Sequence, residues 1–156
     1  MRTSLSHPLW IAEIIPAEGH GLLGLTFCLG KKQSGCPACS WERDLEFDLD
    51  TLAAWNASAV ITLVESHELA QLGVPGLGAA VLARRIDWYH LPIRDRDVPD
   101  ARFEDAWDAV AESLRCRLRS GANVLVHCAG GLGRTGTVAS RLLIELGWNP
   151  HQAVAK

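Results

Sequence analysis

The chain has 156 residues, with 15 lysines and arginines against 18 aspartates and glutamates, and 48% of its residues are hydrophobic. This length and composition are typical of one globular domain whose core needs no disulfide or metal to hold it. The net charge of −3 argues against nucleic acid or an acidic membrane as partner. No apolar run approaches the roughly 20 residues that cross a bilayer, and no signal segment follows Met1. We therefore expect a single cytoplasmic domain over residues 1–156. The sequence does not predict its oligomeric state.

Five cysteines, at positions 28, 36, 39, 116 and 128, lack the dense spacing of a secreted disulfide scaffold. Their odd number favours free thiols in a reducing compartment. Cys36 and Cys39 form a lone CxxC pair, for which zinc binding would need a second ligand pair and redox use a strand-to-helix context. Neither is visible, so this pair is predicted to lie in a surface loop, and its redox role stays open.

Strand-like and helix-like segments alternate along the chain. Two strands are predicted at 11–15 and 22–29, separated by a turn. Asp48 is predicted to cap a short helix that ends at Trp55. The apolar, β-branched run 59–64 is typical of a strand buried on both faces, and a helix is predicted to end within 81–85.

The second half of the chain continues this alternation. Residues 86–93 predict a strand that leads into the polar loop 94–100. Apolar residues from Phe103 to Leu118 recur at helical spacing, with Asp100 as the predicted cap. A short central strand at 124–126 precedes a helix from about 134 to 146, stopped by Gly147 and Pro150. The pattern predicts an α/β fold with a central, mostly parallel twisted sheet flanked by helices, and sites at the carboxyl ends of its strands.

The loop between the last strand and the last helix carries the chemistry. Residues 127–136 read His-Cys-Ala-Gly-Gly-Leu-Gly-Arg-Thr-Gly. A helix amino terminus with unpaired N–H groups favours an anion, and the glycines let the loop curl around it. The same field favours thiolate over thiol, so Cys128 is the predicted nucleophile. Arg134, six residues later, is predicted to bind the phosphate and to stabilise the transition state, because its planar fork matches two phosphate oxygens.

The other loop residues receive supporting roles. The predicted phosphate-binding positions are Ala129, Gly130, Gly131, Leu132 and Gly133, together with Arg134. Thr135 is predicted to stabilise the Cys128 sulfur when it leaves, and His127 to orient the loop backbone. The lysine of a Walker loop is lacking, so we expect neither a metal nor another cofactor. A glycine-rich turn around a buried cysteine would not account for Arg134 at this spacing.

Expulsion of the substrate oxygen is easier when a carboxylic acid gives it a proton. Asp95, Asp97 and Asp100 follow the strand that ends at Ile93, so each of them is a candidate. Asp100 is better explained as a helix cap, and Asp97 as a solvated loop residue. The acid would then act as the base that activates water in the second step.

The C-x5-R-T loop resembles the signature of the cysteine-dependent protein tyrosine and dual-specificity phosphatases, His-Cys-x-x-Gly-x-x-Arg-Ser/Thr-Gly, at every fixed position. The segments 91–95 and 98–100 and the Gly-Gly-Leu-Gly interior resemble the kinase-associated phosphatase, or cyclin-dependent kinase inhibitor type, branch. The segments 30–32 and 41–45 resemble its bacterial-type members. In smaller members the acid lies just over thirty residues before the cysteine, which implies Asp95, 33 residues before Cys128.

The resemblance implies a dual-specificity-phosphatase-like fold and a protein phosphatase. Its substrate would be a phosphorylated protein or peptide, with phosphotyrosine and also phosphoserine or phosphothreonine in reach. The resembling proteins continue beyond the position of Ala153 with a further helix, so this chain is expected to lack that helix. Its loss is expected to expose Leu142, Leu143 and Leu146.

Other functions remain open at this point. A lipid, nucleotide or small-metabolite phosphatase shares the loop, although residues 129–133 contain no lysine to match a polyanionic headgroup. A pseudophosphatase would bind phosphate without turnover, but such proteins usually lose the nucleophile, the arginine or the acid, and all three are present. An arsenate reductase would need partner thiols close in space. Cys116, predicted to be half-buried, is one candidate to form a disulfide with oxidised Cys128.

Overall fold

The structure is a computed structural model that describes residues 2–33, 40–94, 99–130 and 133–155, with side chains to residue 153. Its strands are β1 (Ala12–Ile14), β2 (Leu23–Thr26), β3 (Lys32–Gln33), β4 (Trp41–Glu42), β5 (Ala57–Thr62), β6 (Asp87–His90) and β7 (Asn123–His127). Its helices are α1 (Leu45–Ala54), α2 (Ser66–Gln71), α3 (Leu77–Ala83), α4 (Ala101–Arg119), α5 (Gly133–Glu145) and α6 (Pro150–Ala155).

The main sheet has the strand order β1-β2-β7-β5-β6. β1 and β2 are antiparallel, whereas β2, β7, β5 and β6 run parallel to one another. β7 lies in the middle, and its residues from Val124 to Val126 are fully buried. β3 and β4 form a separate antiparallel pair. The predicted α/β architecture with a mostly parallel central sheet is therefore confirmed, and the loop after β7 lies at the carboxyl edge of the sheet.

Helices cover both faces of the sheet. The Trp88 ring packs on Gly78 of α3, and α3 also contacts α1. The next side chain along β6, Tyr89, contacts Ser113 of α4, and neighbouring side chains of a strand point to opposite faces. Ion pairs such as Arg141–Glu104 join α5 to α4 on that second face. In the described part of the chain no helix is both long and apolar enough to cross a membrane.

The predicted helix caps are right in one place and wrong in another. Asp100 caps α4 as predicted, with its side chain accepting a hydrogen bond from Phe103 N at 3.0 Å. The predicted cap at Asp48 is wrong, because Asp44 caps α1 through Phe47 N. Asp48 lies one turn further on, with its carboxylate inside the protein. A buried arginine competes for that carboxylate more strongly than a helix end does.

The carboxyl-terminal segment also differs from expectation. Gly147 ends α5 with a φ of 110°, but Pro150 starts α6 rather than only stopping the preceding helix, in keeping with the preference of proline for a first turn. Leu142 and Leu143 are buried, so their predicted exposure is wrong. α6 packs against α5, where Ser140 Oγ donates to the Ala153 carbonyl at 3.3 Å.

A fully buried ion pair organises the amino-terminal part of the fold. Arg43 donates to both carboxylate oxygens of Asp48, at 2.8 and 2.9 Å, and both side chains are 0% exposed. Asp48 also accepts from Ser4 Oγ and from Gly30 N, each at 2.9 Å. Arg43 donates further to the His7 carbonyl at 2.6 Å. The pair thus joins the chain start, the segment before β3 and α1.

Replacement of Asp48 by alanine should lower the free energy of unfolding by about 3–5 kcal/mol, because it leaves the Arg43 charge buried without its partner. Urea denaturation measures the loss. Asp50→Ala is the control, because Asp50 lies on the same helix and its ion pair with Arg84 is 71% exposed on the aspartate side. That variant should lose less than about 1 kcal/mol. Equal losses in the two variants would contradict the role given to the buried pair.

Candidate active site

The loop after β7 brings together several of the predicted site residues at the carboxyl edge of the sheet. Cys128 follows the last residue of β7 and is buried, and Arg134 is buried in the first turn of α5. Ala129 is half-buried and Gly130 is exposed. Gly133 is the first residue of α5. The predicted positions Gly131 and Leu132, and the predicted acid Asp95 with its neighbour Asp97, lie outside the described residues.

Hydrogen bonds to Glu68 and Ile93 hold the Arg134 guanidinium. Nη1 and Nη2 donate to the two carboxylate oxygens of Glu68, at 2.7 and 2.9 Å, and Nη1 also donates to the Ile93 carbonyl at 2.9 Å. Burial opposes ionisation of Glu68, but the hydrogen bonds from Arg134 and Glu65 N and the nearby charges of Arg134 and His67 together outweigh it. The pKa of Glu68 therefore lies below its ordinary value. The carboxylate is therefore charged, and the plane of the guanidinium is fixed before any ligand binds.

Glu68 is a site residue that the sequence analysis missed. It lies in α2, after β5, far from Arg134 along the chain. Its local signal was the capping box of α2, in which its side chain accepts from Glu65 N at 3.0 Å. A capping box predicts a helix start and nothing about a distant arginine.

His127 lies inside the sheet with both ring nitrogens engaged. Nδ1 lies 3.1 Å from the Cys128 carbonyl oxygen, and Nε2 lies 2.7 Å from Thr62 Oγ1 on β5. Burial lowers the pKa of His127 to about 4, with the nearby charges of His90 and Arg134 adding to the effect. The imidazole is therefore neutral near pH 7, which fits the predicted orienting role.

Thr135 has a buried hydroxyl that no described residue pairs with. An unpaired buried polar group costs about 1–3 kcal/mol, and each such group in a native protein calls for an explanation. A β-carbon added at Gly130 or Gly133 would meet no atom within 4 Å, and neither residue has a positive φ. These glycines therefore leave open space beside the loop rather than relieve backbone strain.

Lys31 lies against the same loop from the amino-terminal side. Its Nζ donates to the Ala129 carbonyl at 3.4 Å and sits 4.2 Å from the Trp41 ring centre and 5.1 Å from that of Phe27. Burial lowers the pKa of Lys31 below its ordinary value, and the nearby thiols of Cys28 and Cys128 oppose this effect. The Ala129 end of the loop therefore has a cation beside it, held between aromatic rings.

The remaining cysteines fall into different settings. Cys28 is buried beside the loop, with its N–H donating to the Ala129 carbonyl at 3.2 Å, and burial raises the pKa of its thiol to about 12. Cys116 is exposed on α4, where its thiol donates to Glu112, so the prediction of half-burial is wrong. It lies near the end of α4 that leads into β7, whereas Cys128 follows the opposite end of that strand. Cys36 and Cys39 lie outside the described residues.

A family model described as Swiss Army Knife protein, DSP-PTPase phosphatase domain, matches residues 37–156. The chain belongs to this phosphatase family. The family predicted from the loop is thereby confirmed. Among the described residues, no three or more His, Cys, Asp or Glu side chains are grouped to hold a metal ion.

Individual relatives agree with this DSP-PTPase family. The chain is 31% identical over 122 residues to cyclin-dependent kinase inhibitor 3 of Rattus norvegicus, covering 77% of this chain and 56% of that protein. The Homo sapiens protein of the same name is 30% identical over 122 residues, with the same coverage. The chain thus spans about half the length of the curated relatives that it matches.

Solved structures confirm the predicted dual-specificity-phosphatase-like fold. Kinase associated phosphatase, crystallised with a serine in place of its catalytic site cysteine, has a TM-score of 0.79 and 27% identity, covering 94% of this chain and 80% of that one. Tk-PTP in its active form has a TM-score of 0.64 and 25% identity, covering 94% and 82%.

The buried histidine gives a prediction for stability against pH. The pKa of His127 is about 4 in the folded chain and about 6.5 in the unfolded chain. The unfolded state therefore takes up the proton first, and stability present above about pH 6.5 is lost as the pH falls towards 4. His127 alone should lower the free energy of unfolding by about 3 kcal/mol over this window. Urea denaturation at several pH values measures the loss.

The control is His127→Gln, which removes the titrating group. Its free energy of unfolding should depend less steeply on pH between about 6.5 and 4, because the remaining groups titrate in both proteins. If this variant does not fold, an NMR titration of the wild-type histidines replaces it, and the His127 signals should stay those of a neutral ring down to about pH 5. Equal slopes, or protonation near pH 6.5, would contradict the prediction.

Proposed function

We propose that this chain hydrolyses phosphoric monoesters through a phosphocysteine intermediate. The observation that carries the proposal is the guanidinium of Arg134, fixed by Glu68 and Ile93 in the helix turn that follows the Cys128 loop. A guanidinium whose orientation is set before binding donates hydrogen bonds to two phosphate oxygens. It continues to stabilise their negative charge as that charge shifts during phosphoryl transfer. The amino end of α5, a helix of 13 residues, adds N–H donors and the positive end of its dipole.

In the first step, the Cys128 thiolate attacks phosphorus and a sulfur–phosphorus bond forms. The ester bond to the substrate oxygen breaks at the same time, and the electron pair of that bond stays on the leaving oxygen. Asp95 in its protonated form gives this oxygen its proton, so the product leaves as an alcohol or phenol. Arg134 and the loop amides of residues 129–133 neutralise the phosphoryl oxygens.

In the second step, a water molecule attacks the phosphocysteine. The Asp95 carboxylate accepts a proton from that water, and the sulfur–phosphorus bond breaks to give phosphate and the Cys128 thiolate. The hydroxyl of Thr135 donates a hydrogen bond to the departing sulfur. Support for this role comes from its burial without a partner among the described residues. The cycle ends with the acid protonated again.

The proposed substrate is a phosphorylated protein or peptide carrying phosphotyrosine, phosphoserine or phosphothreonine. The names of two relatives, cyclin-dependent kinase inhibitor 3 and kinase associated phosphatase, support an action on proteins. The loop positions 129–133 carry no lysine that would match a multiply phosphorylated headgroup. We also place the protein in the cytoplasm, because its five cysteines lack the dense spacing of a secreted disulfide scaffold.

The first test is hydrolysis of para-nitrophenyl phosphate between about pH 5 and about pH 8. Cys128→Ser should abolish turnover, whereas Cys28→Ser should retain it, because Cys28 is an equally buried thiol beside the same loop. Asp95→Asn should lower kcat by about a hundredfold and remove the alkaline limb of the pH profile, because that limb reports loss of the acid's proton. Asp97→Asn, two residues away, should change neither.

Three outcomes would contradict the proposal. Turnover that survives Cys128→Ser would exclude the phosphocysteine. Equal effects of the two aspartate variants would exclude Asp95 as the acid. A folded wild type that binds vanadate without any turnover would favour a phosphate-binding module instead.

The Glu68–Arg134 ion pair generates a second prediction for catalysis. Glu68→Gln removes the charge that holds Arg134 and keeps one oxygen acceptor. We expect kcat to fall by about tenfold to about a hundredfold with a smaller change in KM. The reason is that a displaced guanidinium stabilises the transition state less well, and the transition state is where its contribution is largest. Steady-state kinetics separates the two constants.

Glu104→Gln is the matched control for this variant. Glu104 pairs with Arg141 between α4 and α5, so the substitution also removes one carboxylate from an arginine pair. It should leave kcat within about twofold. If both variants lose activity equally, the effect of Glu68 is one of charge or stability and not of orientation.

A further inference from the structure

A row of polar side chains crosses three neighbouring strands of the main sheet and ends at the nucleophile. Trp88 Nε1 on β6 donates to Thr62 Oγ1 on β5 at 2.7 Å. Thr62 Oγ1 lies 2.7 Å from His127 Nε2 on β7, and His127 Nδ1 lies 3.1 Å from the Cys128 carbonyl oxygen. Thr62 and His127 are register partners, so their side chains share one face of the sheet.

The chemistry of these groups fixes the direction of every hydrogen bond in the row. The Trp88 indole can only donate, and a carbonyl oxygen can only accept. The neutral imidazole of His127 has one N–H, and Nδ1 must carry it in order to donate to the Cys128 carbonyl. Nε2 is then an acceptor, so the Thr62 hydroxyl donates to it while accepting from Trp88. Each donor thus has one acceptor, and no alternative assignment satisfies all of them.

The last bond in the row determines how the loop amide is aimed. The Cys128 carbonyl and the Ala129 N–H belong to one peptide unit, and in a planar trans peptide the two point in opposite directions. The carbonyl is drawn towards the buried His127 ring, so the Ala129 N–H faces away from the sheet interior. That is the side on which a phosphate bound by Arg134 and the loop would lie.

We propose that Thr62 and Trp88 are positioning residues for phosphate binding: they hold His127 as the tautomer protonated on Nδ1, and through it aim the Ala129 amide at the substrate. The inference rests on the proposed function and deepens it. Neither residue touches the substrate. Both act through His127.

Packing keeps the row in place. The Trp88 ring stacks on His90 at 5.0 Å between ring centres, and a β-carbon at Gly78 would come within 2.4 Å of that ring. His90 is itself held, because its Nε2 donates to the Val64 carbonyl at 2.7 Å. The indole therefore cannot swing away from Thr62 without disturbing α3. Three apolar side chains would fill this space at a lower desolvation cost, so the polar row needs a reason other than stability.

The first test determines the tautomer of His127 directly. A long-range proton–nitrogen correlation spectrum of histidine-labelled wild-type protein at neutral pH should show His127 with a protonated Nδ1 and an unprotonated Nε2, with the signal assigned by its loss in His127→Gln. The opposite tautomer would overturn the proposal. This measurement needs no turnover, so it stands apart from the fate of the proposed phosphatase activity.

The second test removes single links of the row. Thr62→Val keeps the shape and loses the hydroxyl, and it should weaken vanadate binding and lower kcat/KM, each by about tenfold, less than the hundredfold typical of a lost donor to the reacting oxygen. Thr62→Ser should restore both to within about twofold. Trp88→Phe keeps a ring but loses the N–H that orients the Thr62 hydroxyl, and it should show an intermediate loss together with a changed His127 spectrum.

The matched control is Thr26→Val. Thr26 is the register partner of His127 on the other neighbouring strand, β2, and its buried hydroxyl donates to the Trp10 carbonyl at 2.8 Å. It should lose stability in urea as Thr62→Val does, with unchanged vanadate affinity and an unchanged His127 spectrum. Equal losses of affinity in the two variants, or a failure of serine to rescue, would overturn the proposal. Vanadate affinity that depends on Thr62 in a protein without turnover would keep the proposal and reject only the phosphatase activity.

Discussion

The bidentate ion pair between Arg134 and Glu68 is the contact on which the arrangement of the site depends. Burying two charges is costly, and the cost is offset only when the geometry is close to ideal and the remaining donors find acceptors. Here both carboxylate oxygens are used and the Ile93 carbonyl takes a further N–H. Glu68 follows β5, Ile93 follows β6 and Arg134 follows β7, so one guanidinium joins the carboxyl ends of three parallel strands. The fold therefore sets the orientation of the Arg134 guanidinium before any substrate binds.

A second buried ion pair supports the opposite side of the loop. Asp48, paired with Arg43, accepts a hydrogen bond from Gly30 N. Gly30 directly precedes Lys31, whose ammonium donates to the Ala129 carbonyl. The described ends of the loop are therefore held from α2 through Arg134 and from the amino-terminal segment through Lys31. Loops that carry catalytic groups are usually the least restrained parts of a domain. In this chain, buried charges hold the described residues on either side of positions 131 and 132.

The sequence predicted what depends on local spacing and missed what depends on distant partners. Cys128 and Arg134 lie on one strand–loop–helix unit, and Asp100 lies next to the helix that it caps, so residue types and periodicity were sufficient. Asp48 has the residue type of a cap, but a buried arginine takes its carboxylate, and no local pattern could show that. Glu68 and Thr62 reach the site only because the parallel register places β5 beside β7. Leu142 and Leu143 were expected to be exposed, and the packing of α5 that buries them is likewise a tertiary effect.

Polar groups on the two sides of the loop differ in their hydrogen bonding. Towards the sheet, His127 and Thr62 form a fully satisfied row of hydrogen bonds, as a buried framework requires. At the start of α5, the Thr135 hydroxyl is buried and no described residue pairs with it. An enzyme that expels a sulfur in its second step gains from such a hydroxyl, because the hydroxyl can donate a hydrogen bond when negative charge develops there. The buried Thr135 hydroxyl therefore supports the second step proposed above.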